Sequence, residues 1–443
     1  MAYISRTPAG DGNLQKFTIS MWIKRGDIGV ASSNTNSLMM QSIAELSFYN
    51  TDTLKYYMDG TYGVTPSRLF RDVTGWMHIC IATDTTSASA LAEADRIKVY
   101  INGVRETEMA STNYPPLGTD SRFGDASYEL TISKATDVFY GNMSWVQFVD
   151  NAALAPTEFG EEDATSGMWK IKTTPYATPG TNGFCLKMED GTNMDLDSSS
   201  NAYTFATTGD ITLTQDTPSN NFCTLSETNA NTTFITYTNG NTTAQWSDST
   251  VHTQGTIGMQ GGKWYWEIEI NENNGEYGVC ENGRAFQRAP TTNFPFYFAT
   301  NPGTTTTTVY NNQRTGSNSS TFTGTSHEIG DVVMMAYDST NGNLYYGKNR
   351  SWENSGDPTS GASATGAIVT SIQERWGGLI VPFQGSATAS SRTWKYNFGN
   401  GYFGTTSHGE TNSDTAGIGL FKYSVPTGYY ALCSKNVKTQ GGI

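Results

Sequence analysis

The chain has 443 residues, of which 12% are aromatic and only 15% charged, with a formal net charge of −14. That length leaves room for two to three domains with cores of their own, and a composition rich in Gly, Thr, Ser and Asn favours short strands and polar turns over helices. The acidic balance excludes the clustered Lys and Arg that a nucleic-acid backbone requires, so nucleic acid is not an expected partner.

The opening residues, from Met1 to Pro8, contain no apolar signal core, and no segment approaches the roughly 20 apolar residues that span a bilayer. Both observations predict a soluble chain made in a cytoplasm, without membrane insertion. The first clear strand is Phe17-Thr18-Ile19-Ser20-Met21-Trp22-Ile23-Lys24, with Phe17, Ile19, Met21 and Ile23 on one face. Weaker strands are expected at 45–49 and 54–58. Residues 75–82 are almost continuously apolar, as in a strand covered on both sides. A hairpin follows: residues 96–101, an Asn102-Gly103 turn suited to the positive φ angles of type I′, and residues 104–106. A further strand runs over 143–150. The order of an "ISMWIKRG" strand, a "GWMHICIATD" strand and an "RIKVYINGV" hairpin, over residues 1–155, resembles the laminin-G-like, concanavalin-A-like sandwich. That resemblance implies two antiparallel sheets packed face to face in a jelly roll.

Residues 151–222 read as a bridge. Ala155 to Gly160 starts a short helical turn with Thr157 as its cap, and residues 182–188 form a strand that completes the first sandwich. Asp216-Thr217-Pro218-Ser219-Asn220-Asn221 is a turn-forming link. In the second half, residues 263–271 alternate, with Trp264, Trp266, Ile268 and Ile270 on an apolar face and Tyr265, Glu267 and Glu269 on a face read as polar and partly wet. Residues 331–337 form a strand, 338–342 a turn and 343–347 the returning strand. "KWYWEIEI", then "GDVVMMAYDSTNGNLYYGKN", then "WKYNFGNGYFG" come in the order of the SPRY domain, which the chain resembles over residues 223–405. The resemblance implies a second bent β-sandwich, used for recognition without catalysis. A laminin-G-like domain, a "DTPSNN" link, a SPRY-like domain and a "VPTGYYALCSKN" ending together resemble large structural proteins of tailed bacteriophages, marine ones especially.

Few residues carry chemistry. Retaining β-glucanases built on the concanavalin-A-like fold place E-x-D-x-E on one strand, with reacting carboxyls about 5–5.5 Å apart. Here the pattern is Glu267-x-Glu269-x-Asn271, and an amide cannot donate the proton a leaving oxygen needs; a strand continuing unbulged would turn Glu272 to the opposite face. The pair is read as a solvated strand face. His78 stands between Trp76 and Cys80, about 6–7 Å from each same-face neighbour, with no orienting acid identifiable, and is read as packed in or beside a core. His252, His327 and His408 fall in polar loop sequence without zinc-like spacing. The five cysteines (Cys80, Cys185, Cys223, Cys280 and Cys433) are never spaced C-x-x-C and are expected as reduced, strand-buried thiols. Asp190, Asp195 and Asp197 read first as an exposed acidic turn, with Ca²⁺ as the alternative, although their spacing fits no EF-hand. No other cofactor is expected: Gly261-Gly262 leads into a strand and offers no helix N-terminus for a phosphate. Tyr310 and Arg314, and Arg350 and Trp352, put aromatic faces beside amides and guanidinium groups, a combination that suits sugar or peptide binding. These four are the candidate binding residues, with a fold-back of Trp352 over the preceding hairpin as the other reading of that residue.

The expected architecture is therefore all-β, with two β-sandwich domains in tandem: a jelly-roll, concanavalin-A-like domain at 1–188, a linker at 189–222, a SPRY-like domain at 223–405 and a docking tail at 406–443. The expected role, from the phage resemblance, is a non-catalytic virion protein on an exposed tail or head appendage, presenting loops to a host-surface glycan or protein. The alternative is an architectural decoration or connector whose only partners are other virion subunits; a glycoside hydrolase ranks third. Neither a heptad stalk nor a β-helical repeat occurs, so a globular component rather than a long fibre is expected. A homo-oligomer is expected, a trimer being one arrangement.

Overall fold

Alternation along Lys16–Arg25 sends Phe17, Ile19, Met21 and Ile23 into a core shared with Leu46, Phe48, Leu54 and Tyr56 from the facing sheet. This comes from a computed structural model of the chain, which describes residues 2–26, 28, 35–134, 137–226, 235–247, 252–271, 275–282, 299–300, 306–313, 316–323, 328–372, 379–385, 392–407, 409 and 412–441. Contacts divide the chain into two units, Met1–Leu213 and Thr214–Ile443. Each is a β-sandwich of antiparallel sheets, with helix confined to short segments such as Glu93–Arg96 and Ser434–Gln440. Among the described residues no helix is long and apolar enough to cross a membrane.

In the first unit, one sheet has eight strands, running in order from Met109–Asn113 at one edge to Leu130–Ile132, Tyr3–Arg6 and Ala206–Thr208 at the other. The six-stranded sheet facing it is ordered Phe184–Leu186, Gly141–Asp150, Lys16–Arg25, Met77–Asp84, Ile97–Ile101 and Val104–Arg105. The last two form the expected hairpin, with Asn102 at φ 48° and Gly103 at φ 80°. Gly103 is required twice over, because a Cβ there would also meet the Trp169 ring at 2.5 Å. Ala155–Phe159 does make a helical turn, but it is a 3₁₀ turn over Pro156–Glu158 in which Thr157 sits inside and caps nothing; Pro156 starts it by fixing φ. The stretch 189–222 divides between the units. Phe205 is buried in the first core and Ala206–Thr208 pairs with Tyr3–Arg6, whereas Phe222 is buried in the second unit, bridged to Cys433.

The second unit has a seven-stranded and an eight-stranded sheet. Lys263–Ile270 runs between Val332–Asp338 and Arg392–Asn397 in the latter. Trp264, Trp266, Ile268 and Ile270 face the inter-sheet core, against Val279 and Ile380 of the other sheet. The opposite face is not wet. Tyr265, Val332, Met334 and Ala336 pack there against Phe403, Phe421, Tyr423, Tyr429 and Ala431. Residues past 399 thus form a third layer, and Tyr430–Ala431 even pairs in parallel with Trp264-Tyr265. Phe421 meets Tyr265 edge-on, with ring centroids 4.8 Å apart at 81°.

If this layer is core rather than a loose cover, Phe421→Ala destabilises the second unit by about 3–5 kcal/mol, the usual cost of emptying a buried Phe site. Urea unfolding followed by tryptophan fluorescence measures it; a loss below about 1 kcal/mol, the scale of a surface substitution, contradicts the assignment.

Candidate functional site

Glu267 sits on the covered face of Lys263–Ile270 and is fully buried. Its Oε1 accepts from the Tyr423 N–H at 2.8 Å and the Tyr265 hydroxyl at 3.0 Å. Its Oε2 accepts from the Lys422 N–H at 2.9 Å and Asn397 Nδ2 at 3.3 Å. Burial pushes the carboxyl up to about 7, while the four donors pull the other way. Glu269, two residues on, instead pairs with Lys395 Nζ at 2.8 Å and accepts from Asn271 Nδ2 at 3.3 Å. The reading of Glu267 as a solvated face is therefore corrected. Leu420–Phe421 and the residues after it lie over the carboxyl, and all its acceptor capacity is taken by the chain itself.

His78 is equally enclosed. The Trp169 indole N–H, a donor only, points at Nδ1 from 3.1 Å, so Nδ1 accepts and the ring proton lies on Nε2, which donates to Ser20 Oγ at 2.9 Å. Trp22 and Trp169 stack on the ring with centroids 5.1 and 6.0 Å away, and burial lowers its pKa to about 3. Cys80 packs on Val149 and Phe159, and burial pushes its thiol pKa upward. All five cysteines are buried thiols outside any disulfide. His252 is not in a loop: it lies in the strand His252–Gly255, buried and stacked on Phe383, because its neighbours pair on both sides. His327 and His408 lie outside the described residues.

The three aspartates of the acidic stretch do not converge. Asp190 takes the Thr192 N–H and hydroxyl, and Asp195 takes the Thr207 hydroxyl. Asp197 is buried rather than exposed, accepting from the N–H groups of Cys185, Ser199 and Tyr203 and from the Ser199 hydroxyl. Among the described residues no group of three or more His, Cys, Asp or Glu is placed to hold a metal ion.

The four candidate binding residues separate. Tyr310 lies within the strand Thr306–Gln313 of the seven-stranded sheet, opposite Ser319, rather than in a loop; Arg314 lies outside the described residues. Arg350 and Trp352 come together at the edge of the eight-stranded sheet, where Asn349 and Arg350 at φ 46° and 80° turn Asn343–Lys348 into Ser351–Trp352. Trp352 is half-buried edge-on against Tyr265, centroids 6.4 Å apart, as a fold-back onto the hairpin requires. The exposed Arg350 guanidinium lies 5.5 Å from the Tyr423 ring, and Lys422 Nζ lies 5.6 Å from it. Tyr423 and Lys422, absent from the sequence reading, are thus part of this corner.

A second cation–aromatic arrangement was also illegible in the sequence. In the first unit, a shallow cleft of about 440 Å³ is lined by Ser5, Arg6, Thr7, Glu129, Tyr203 and Phe205, among others. The one available signal was the Tyr203-x-Phe205 spacing, which puts two rings on one side of an extended segment.

No protein-family model matches the chain, and no curated protein matches it. Among solved structures it is similar to the SPRY domain of human HERC1, at 13% identity and TM-score 0.29, over 39% of this chain and 96% of that one. It is also similar to the TRIM65 PSpry domain, at 12% identity and TM-score 0.29, over 40% and 91%. A third is the SAP-like pentraxin from Limulus polyphemus, at 13% identity and TM-score 0.25, over 35% and 72%. SPRY domains, whose motif order the second half resembles, are thus among the similar solved structures.

The Glu267 environment has a pH signature. The folded value near 7 lies above the ordinary glutamate value of 4.5, so between them the native state keeps a proton that the unfolded chain has lost. Stability of the second unit then falls as pH rises from about 4.5 to about 7 and levels off above. Glu267→Gln removes this slope: the native protein's advantage over the variant shrinks by about 3 kcal/mol across that window. Urea unfolding at pH 4.5 and 8 measures the difference, and a gap that is constant or widens with pH contradicts the assignment.

Proposed function

We propose that the chain is a non-catalytic structural component of a virion, exposed on a tail or head appendage, whose sandwich rims attach to a host-surface glycan or protein. The observation that carries this reading is where the reactive groups lie. Glu267, His78 and Cys80 are enclosed and engaged internally, whereas cationic groups stacked on aromatic rings, Arg350 with Tyr423 and Arg6 with Tyr203, stand at the rims. Aromatic faces beside guanidinium groups bind by contact and break no bond. The virion assignment is supported by the order of motifs along the chain, from the "ISMWIKRG" strand to the "VPTGYYALCSKN" ending. On this reading the partners are other virion subunits and a host-surface molecule, the location is the virion, and copies of the chain associate with one another.

Purified full-length protein is applied to a glycan array and to a panel of intact bacterial cells. Saturable binding to a restricted set of glycans or cells is expected, with no oligosaccharide released from polysaccharide. Binding to virion subunits alone favours the architectural role instead, and release of oligosaccharide that is lost on Glu267→Gln restores the hydrolase.

A further inference from the structure

The cleft of the first unit is built from fixed parts. Arg6 ends the strand Tyr3–Arg6, which is paired on both sides, Arg6 opposite Leu130 and Ser5 opposite Ala206. Its guanidinium carbon lies 3.5 Å from the Tyr203 ring centroid and 5.9 Å from that of Phe205. Both rings are held from behind. Phe205 meets Phe184 edge-on at 4.9 Å, the Tyr203 hydroxyl donates to the Thr181 carbonyl, and the Tyr203 N–H donates to Asp197 at 2.9 Å.

Among the described residues, no carboxylate forms an ion pair with Arg6. The acid that acts on it, Asp197, does so only at longer range, and that carboxylate already accepts four hydrogen bonds. A chain of net charge −14 thus keeps a stacked, half-buried guanidinium without a counter-ion in a cleft.

We propose that this cleft binds a carboxylated sugar, a uronate unit of an acidic polysaccharide. This rests on the surface-attachment reading and names its ligand class. The Arg6 guanidinium, set over the Tyr203 ring and also engaging its hydroxyl, keeps further N–H groups for a planar carboxylate, which it can meet through two parallel hydrogen bonds. Tyr203 and Phe205 hold the guanidinium in place, and Thr7 and Glu129, which line the cleft, offer a hydroxyl and a carboxylate to the sugar's hydroxyl groups. A neutral sugar leaves the guanidinium unmatched. A phosphate monoester would set more negative charge against Glu129, so a singly charged group fits the cleft best, and a planar carboxylate matches the guanidinium fork.

The test titrates full-length protein by calorimetry with trisaccharides of galacturonate, glucuronate and mannuronate, each beside its neutral counterpart. At least one acidic trisaccharide is expected to bind at least about 10-fold more tightly than its neutral counterpart. Arg6→Lys keeps the charge but loses the fork and the stack, and weakens binding about 10-fold. Arg6→Gln abolishes it; unchanged unfolding midpoints show that the variants are folded. Equal affinity for acidic and neutral sugars, no acidic sugar bound, or native affinity in Arg6→Gln overturns the proposal. Cell binding separates the two readings. An Arg6→Gln protein that still attaches fully to cells removes the cleft and leaves surface attachment standing, whereas a native protein that binds neither sugars nor cells removes both.

Discussion

The Glu267 carboxylate joins the centre of a sheet to a segment more than 150 residues later in the chain, through the backbone N–H groups of Lys422 and Tyr423. Those N–H groups lie where strand pairing does not reach them, and a buried donor without a partner costs about 1–3 kcal/mol. Asn397, paired in register opposite Glu267, completes the arrangement. Its Oδ1 accepts from Gly399 and Gly401, and its Nδ2 donates to the Leu420 carbonyl as well as to Glu267. Three N–H donors around Glu267 suit a carboxylate, and the Tyr265 hydroxyl can turn to accept the proton that the carboxyl keeps below about pH 7. These donors offset part of the cost of burying the charge. With the polar groups matched, Phe421, Tyr423 and Tyr429 can lie on the sheet as a hydrophobic layer.

The first unit solves a similar problem with neutral groups. The outer face of its six-stranded sheet carries Trp22 and His78, and the ribbon of Gly160–Glu162 and Trp169–Ile171 covers it. There a neutral imidazole relays two hydrogen bonds, from the Trp169 indole and to Ser20. In both units the central strands are therefore covered on both faces. The groups that would be reactive in an open cleft are consumed in holding the covering segments, and recognition is left to the rims.

Much of the strand order was legible because alternation is local: the faces of residues 17–23 and 264–270 and the Asn102-Gly103 hairpin follow from spacing of a few residues. What covers a face is not local. Tyr265, Glu267 and Glu269 read as a wet side because two of the three are acids, and nothing near them in sequence shows that residues past 420 lie above. A signal did exist next door. Val332-Val333-Met334-Met335-Ala336-Tyr337 is apolar at every position, the pattern of a strand covered on both faces, and it is the hydrogen-bonded neighbour of Glu267's strand. The binding residues were less legible still. Tyr310 looked like a loop residue because its surroundings are amide-rich, yet those residues pair in a hairpin, and Arg6 and Tyr203 meet only through pairing across some 200 residues.

Hydrogen exchange at the Lys422 and Tyr423 amides tests the central tie most directly. If Glu267 holds them, both exchange as slowly as the amides of Lys263–Ile270 and open only when the second unit unfolds. Exchange within seconds, at the rate of an exposed loop amide such as Ala416, would show that the C-terminal segment lies loosely on the sheet and that the carboxylate does not anchor it.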